Sequence, residues 1–132
     1  RDYKVTGVQT CALPISSIVS RYLNMPAEFK YLDTIEDFEE LLEVSDERPV
    51  TVYKHSSTCG ISAHLMEEMM AVDGKVNVVV VQRSRELSDH IARRSGIRHQ
   101  SPQAFVFSGR KVRYQASHYA IDPSEINKNL KK

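Results

Sequence analysis

The run Val76-Asn77-Val78-Val79-Val80-Val81 constrains the fold of this chain more than any other stretch, because it ends in four consecutive valines. A strand with one face in water alternates apolar and polar residues. A continuous apolar run reads instead as a strand covered on both faces, which is the habit of parallel pairing inside an α/β layer structure. Parallel neighbours need right-handed crossovers, and so helices on either side of this strand. The chain has 132 residues, enough for one compact domain with a real core. Its formal net charge is +1, which gives no broad pull toward nucleic acid or an anionic membrane. No apolar run approaches the roughly 20 residues of a spanning helix. The two cysteines, Cys11 and Cys59, make no disulfide framework, so a reducing, cytoplasmic setting and a monomer are expected.

The N-terminal segment stands apart. Val5–Ile15 reads VTGVQTCALPI, the string obtained by translating a common sequencing-adapter oligonucleotide. Its apolar residues are scattered and broken by Gly7, Gln9 and Pro14, which fits neither an amphipathic helix nor a secretory signal. Residues 1–25 are therefore read as a non-native or disordered segment, and residues 26–132 as the domain. Cys11 is not counted as a resolving thiol.

Across the domain, Glu28–Leu32 reads as an edge strand. Thr34 is a helix N-cap, with Glu36 and Asp37 in the first turn and Ile35, Phe38, Leu41 and Leu42 at helical spacing, giving a helix over Ile35–Val44. Asp46–Pro49 is a turn, and Val50–Lys54, β-branched and aromatic, is a central strand. Ile61, Leu65, Met66, Met69 and Met70 form an inward stripe on the next helix, which ends near Asp73-Gly74. After the valine strand, Glu86–Arg94 is a helix with Leu87, His90 and Ile91 inward and Gly96 as its cap. Gln103–Phe107 and Lys111–Ala116 make a hairpin around Ser108-Gly109-Arg110, and Asp122-Pro123 opens a last helix over Ser124–Leu130. The order is β-α-β-α-β-α-β-β-α with a mixed central sheet flanked by helices, the α/β element order of the thioredoxin fold.

Cys59 is the residue with chemistry to offer. It lies in His55-Ser56-Ser57-Thr58-Cys59-Gly60-Ile61-Ser62, between the end of a buried strand and the first turn of a helix. Unpaired backbone N–H groups and the positive end of the helix dipole there favour thiolate, the form that attacks disulfides. An inert core cysteine is the plainer alternative, and the polar neighbours Ser57, Thr58 and Ser62 argue against it. Ser62 stands where a dithiol oxidoreductase has its second cysteine. With no thiol there, Cys59 cannot close a local disulfide, so its exchange chemistry must be monothiolic. Pro102 of Ser101-Pro102 is expected to be the cis-proline facing the active cysteine, presenting the backbone of Ser101 to an incoming chain. His55 and His118 are candidates to support the thiolate, and Ser62 a candidate donor to it, with Thr58 and Gly60 as neighbours. His64 reads as surface. No metal-ligand spacing is present.

Lys54 through Ser62, then Ser101-Pro102-Gln103, then Ser117-His118, resembles the YtxJ family of bacillithiol-system proteins, the monothiol bacilliredoxins, over roughly Glu28 to the C-terminus. Cys-x-x-Ser alone is a weak signal; its strand-to-helix position, the Ser-Pro and the flanking Lys-His-Ser strengthen it. The resemblance implies a cytoplasmic thioredoxin-fold protein that removes bacillithiol from mixed disulfides on other proteins. It implies no bound cofactor, bacillithiol as co-substrate, and bacillithiolated proteins and a low-molecular-weight thiol as partners. Relatives commonly have Pro at the position of Gly60, a change that bears on redox poise rather than on the thiol itself. Lys54, Arg83, Arg98 and Arg110 are the basic residues available for the malyl carboxylates of bacillithiol, with plain surface charge as the default reading.

Two other readings stay open. Cys59-Gly60-Ile61-Ser62 is one residue from the Cys-Gly-Phe-Ser of monothiol glutaredoxins, which carry a [2Fe–2S] cluster between two protomers. The Gly-Gly element those proteins place after the cis-proline strand is absent here. A redox-inert adapter, fold without chemistry, is the third.

Overall fold

A computed structural model describes residues 27–131; the expectations for residues 1–25, and for Cys11 within them, lie outside the described residues. The strands are β1 (Glu28–Tyr31), β2 (Val50–His55), β3 (Lys75–Val80), β4 (Gln103–Ser108) and β5 (Lys111–Ser117). The helices are α1 (Ile35–Val44), α2 (Gly60–Glu68), α3 (Arg85–Ser95) and α4 (Pro123–Leu130), with 3₁₀ turns at Met69–Ala71 and His118–Ala120. The five strands form one mixed sheet in the order β1-β3-β2-β4-β5. β3, the valine strand, pairs in parallel with β1 on one side and β2 on the other. β4 runs antiparallel to β2 and to β5. The thioredoxin-like α/β order expected from the sequence is the observed one.

The cap and turn signals have their structural counterparts. The Thr34 hydroxyl accepts from the Asp37 N–H, and the Asp37 carboxylate accepts from the Thr34 N–H, a complete capping box at the start of α1. The Asp33 N–H and the Thr34 N–H both donate to the Asp37 carboxylate and hold it below its usual range. Gly96 takes a left-handed conformation (φ 72°) at the end of α3. Gly109 and Arg110 both have positive φ (58° and 67°), which matches the twist of a two-residue hairpin. Asp122 caps α4 by accepting from the Ser124 N–H, with Pro123 at the first helical position.

The two faces of the sheet carry separate cores. Leu65 and Met69 from the α2 side and Ile126 from α4 pack on Tyr53, Val76, Val78, Ala104 and Val106. Phe38 and Leu42 from α1 and Leu87 and Ile91 from α3 pack on Val52, Val79, Phe105 and Phe107. Val78 and Val79 thus point into different cores, which is why the valine run does not alternate. The methionine stripe needs a correction. α2 stops at Glu68 and tightens into a 3₁₀ turn, so Met69 is buried while Met70 swings outward and is 47% exposed.

Lys54 departs furthest from expectation. Strand alternation turns it into the α1/α3 core, where it is fully buried and therefore not placed to meet a ligand carboxylate. Its ammonium donates to the Ser88 carbonyl at 3.0 Å and lies 3.1 Å from His99 Nδ1. Burial pushes its pKa from 10.5 down to about 8, Asp89 only partly opposing. That gap corresponds to roughly 3 kcal/mol of cost at neutral pH. The folded form loses its proton before the unfolded form does, so this contribution makes stability rise between about pH 8 and 10. A Lys54→Met variant is expected to be more stable than wild type at pH 7 by about 1–3 kcal/mol, an advantage that shrinks toward pH 10. Urea midpoints across that range check it; a lower midpoint for the variant at pH 7 would show that the two polar contacts outweigh the desolvation.

Candidate active site

The β-strand register brings the sequence-predicted residues to one end of the sheet. β2 ends at His55, and the loop Ser56–Thr58 leads to Cys59, the N-cap of α2 (φ −107°, ψ 121°). Lys54 pairs with Gln103, so the cis Ser101-Pro102 peptide lies just beyond the end of β2. Gln103 in turn pairs with Ser117, and the His118 N–H donates to the Pro102 carbonyl at 3.0 Å. His118 has φ 55° and is exposed, while Pro102 is buried. Ser101 Oγ is buried with no hydrogen-bond partner among the described residues.

Cys59 is half-buried, and its side chain makes no capping bond to the helix it begins. Ser62 is tied elsewhere. Its Oγ accepts from the Ser56 N–H at 2.9 Å and sits 3.0 Å from His55 Nδ1; the Tyr53 hydroxyl donates to the Ser62 carbonyl at 2.7 Å. With Ser56 already donating to Oγ, this contact joins the Ser62 hydroxyl to a neutral His55 ring. Burial pushes the His55 imidazole below its ordinary value and favours that neutral ring. Ser62 is thus joined to the strand and the loop rather than to the sulfur. Burial, with the nearby Cys59 charge, also pushes the Tyr53 phenol up to about 12, so it stays a donor.

Gln82 was not singled out by the sequence, yet it organises the loop. Just past β3, it accepts from the Ser57 N–H at 3.0 Å and donates to Ser56 Oγ at 2.8 Å and Thr58 Oγ1 at 3.2 Å. Its one sequence cue is position, directly after the valine run. Of the basic candidates, Arg83 bonds Asp33 at 3.0 Å, Arg98 is exposed, and Arg110 bonds Asp46 at 2.9 Å near the opposite end of β2.

This geometry is a thioredoxin-type site with one thiol, and the comparisons agree with it. The family model described as monothiol bacilliredoxin BrxC matches residues 30–126. The chain belongs to the monothiol bacilliredoxin family. Within solved structures, it resembles an oxidoreductase candidate with a thioredoxin fold at 32% identity and a TM-score of 0.70, over 76% of this chain and 92% of that one. It also shares its fold with thioredoxin NaTrxh from Nicotiana alata (12% identity, TM-score 0.62, 80% of this chain and 91% of that one). Thioredoxin O1 from Arabidopsis thaliana is a third (13% identity, TM-score 0.60, 79% and 96%). Family and fold together give this bacilliredoxin a thiol redox role. No helix among the described residues is long and apolar enough to cross a membrane.

Gly60 stands where the family resemblance leads one to expect proline. A Cβ built on it meets nothing within 4 Å, and Cys59 before it is extended, the conformation a residue preceding proline requires. Gly60→Pro is therefore expected to stabilise the domain by about 0.5–1 kcal/mol, through the unfolded chain. A urea midpoint below that of wild type would contradict it.

Proposed function

We propose that this chain removes bacillithiol from protein mixed disulfides by a monothiol exchange at Cys59. The observation that carries the reading is a single thiol at the start of α2 with Ser62, not a second cysteine, one turn along the helix. The Cys59 thiolate attacks the bacillithiol sulfur of the mixed disulfide. A new S–S bond forms between Cys59 and bacillithiol as the old one breaks, and the electron pair leaves on the substrate protein's sulfur, which takes a proton from water. A second low-molecular-weight thiol then attacks the adduct, frees Cys59 and leaves as a disulfide. No cofactor takes part. In this reading the substrate chain lies along the cis Ser101-Pro102 loop, next to the exposed His118.

The test follows thiol release from a bacillithiolated test protein, with free bacillithiol as regenerating thiol. Turnover well above the rate with bacillithiol alone is expected. Release no faster than that background would defeat the proposal.

A further inference from the structure

The loop that carries Ser101-Pro102 runs from the end of α3 into β4, and residues 97–100 have no regular secondary structure. Among the described residues, the backbone of residues 98–101 bonds to no other backbone group. Side chains hold it instead. Fully buried Gln103 donates from Nε2 to the Arg98 carbonyl at 3.1 Å and accepts from the Gln100 N–H at 3.4 Å. His99 is exposed, yet its Nδ1 lies 3.1 Å from the buried Lys54 ammonium and 3.2 Å from Ser88 Oγ. An ammonium can only donate, so Nδ1 accepts from it and the ring is neutral. Burial, with the Lys54 charge next, pushes the His99 imidazole below its ordinary value and favours the same form.

Lys54 stands on β2, five residues before Cys59, and its second bond runs to the Ser88 carbonyl of α3 at 3.0 Å. One ammonium therefore joins the strand that leads to the nucleophile, the helix packed on it and the loop that precedes Pro102. Both of its bonded partners are neutral; Asp89 acts on it only through its field. A buried cation held by neutral acceptors is a poor source of stability, and an apolar side chain of similar length would fill the space without the desolvation. Such costly departures from core chemistry are expected where a site needs them. We propose that Lys54, through His99, is a positioning residue for the exchange at Cys59, keeping residues 98–102 in the arrangement that receives the substrate chain. The proposal rests on the function given above and assigns to a buried side chain the shape of the substrate's side of the site.

Lys54→Met, His99→Ala and their double variant test it in the full chain. Lys54→Met is expected to fold at least as well as wild type, so a loss of function there is not a loss of fold. A loop that holds the receiving arrangement only part of the time weakens binding by that fraction. KM for a bacillithiolated test protein should rise about five- to tenfold in either single variant, with kcat within about twofold. Alkylation of Cys59 by iodoacetamide, a reagent too small to need the loop, should keep its wild-type rate. The double variant should rise no further than the singles, because both remove one contact. Backbone amide order parameters of residues 98–101 should fall from about 0.85 toward 0.6, with β2 and β4 unchanged. An unmoved KM, effects that multiply in the double variant, or loop order parameters equal to those of wild type would each overturn the proposal. A wild type that transfers no bacillithiol, with the loop still loosened by Lys54→Met, overturns the exchange reaction and upholds the hold of Lys54 on the loop.

Discussion

A Cys59→Ser variant is expected to release no thiol from a bacillithiolated protein while folding as well as wild type or better. An alcohol does not ionise near neutral pH, so the serine hydroxyl cannot replace the thiolate as attacking group. The structural consequence runs the other way. Cys59 is an N-cap whose side chain caps nothing, and serine is among the strongest N-caps, so the substitution can add up to about 1 kcal/mol. Activity and stability are thus predicted to separate. Urea unfolding alongside the release assay checks both, and residual turnover in this variant would move the chemistry to another residue.

Ser62→Cys is expected to change the product rather than abolish the reaction. Positions 59 and 62 bracket the first turn of α2, a spacing within reach of a disulfide. After Cys59 accepts bacillithiol, a thiol at position 62 attacks the Cys59 sulfur, bacillithiol leaves as a thiolate, and an internal disulfide remains. The adduct seen with wild type would give way to a protein two hydrogens lighter than its reduced form. The cost is local: the Ser56 N–H and His55 Nδ1 lose the hydroxyl that meets them now, about 1–2 kcal/mol. Persistence of the bacillithiol adduct in this variant would mean that the site holds the two positions apart.

Signals confined to a few neighbouring residues were legible in the sequence. Thr34 and Asp37 form the capping box, Gly96 closes α3, Asp122-Pro123 opens α4, and the valine run is the doubly covered parallel strand. The Ser101-Pro102 peptide, expected to be cis, is cis. What escaped depends on groups far apart in the chain. Nothing around Lys54 announces burial; that follows from strand phase and from Ser88 and His99, 34 and 45 residues away. Gln82 meets the Cys59 loop across 25 residues. Ser62 lies one helical turn from Cys59, which invites a bond between them, but Tyr53 and His55 on the neighbouring strand engage it instead. Met70 fits a continuous helix and misses the core because the helix tightens one residue earlier.

In the proposed reaction Cys59 carries bacillithiol covalently and alone. Intact-mass spectrometry of the full chain, mixed with a bacillithiolated test protein and followed by peptide mapping, tests it most directly. The expected result is a gain of one bacillithiol, located on the peptide containing Cys59, matched by loss of bacillithiol from the test protein. An unmodified Cys59, or an adduct found only on Cys11, would contradict it.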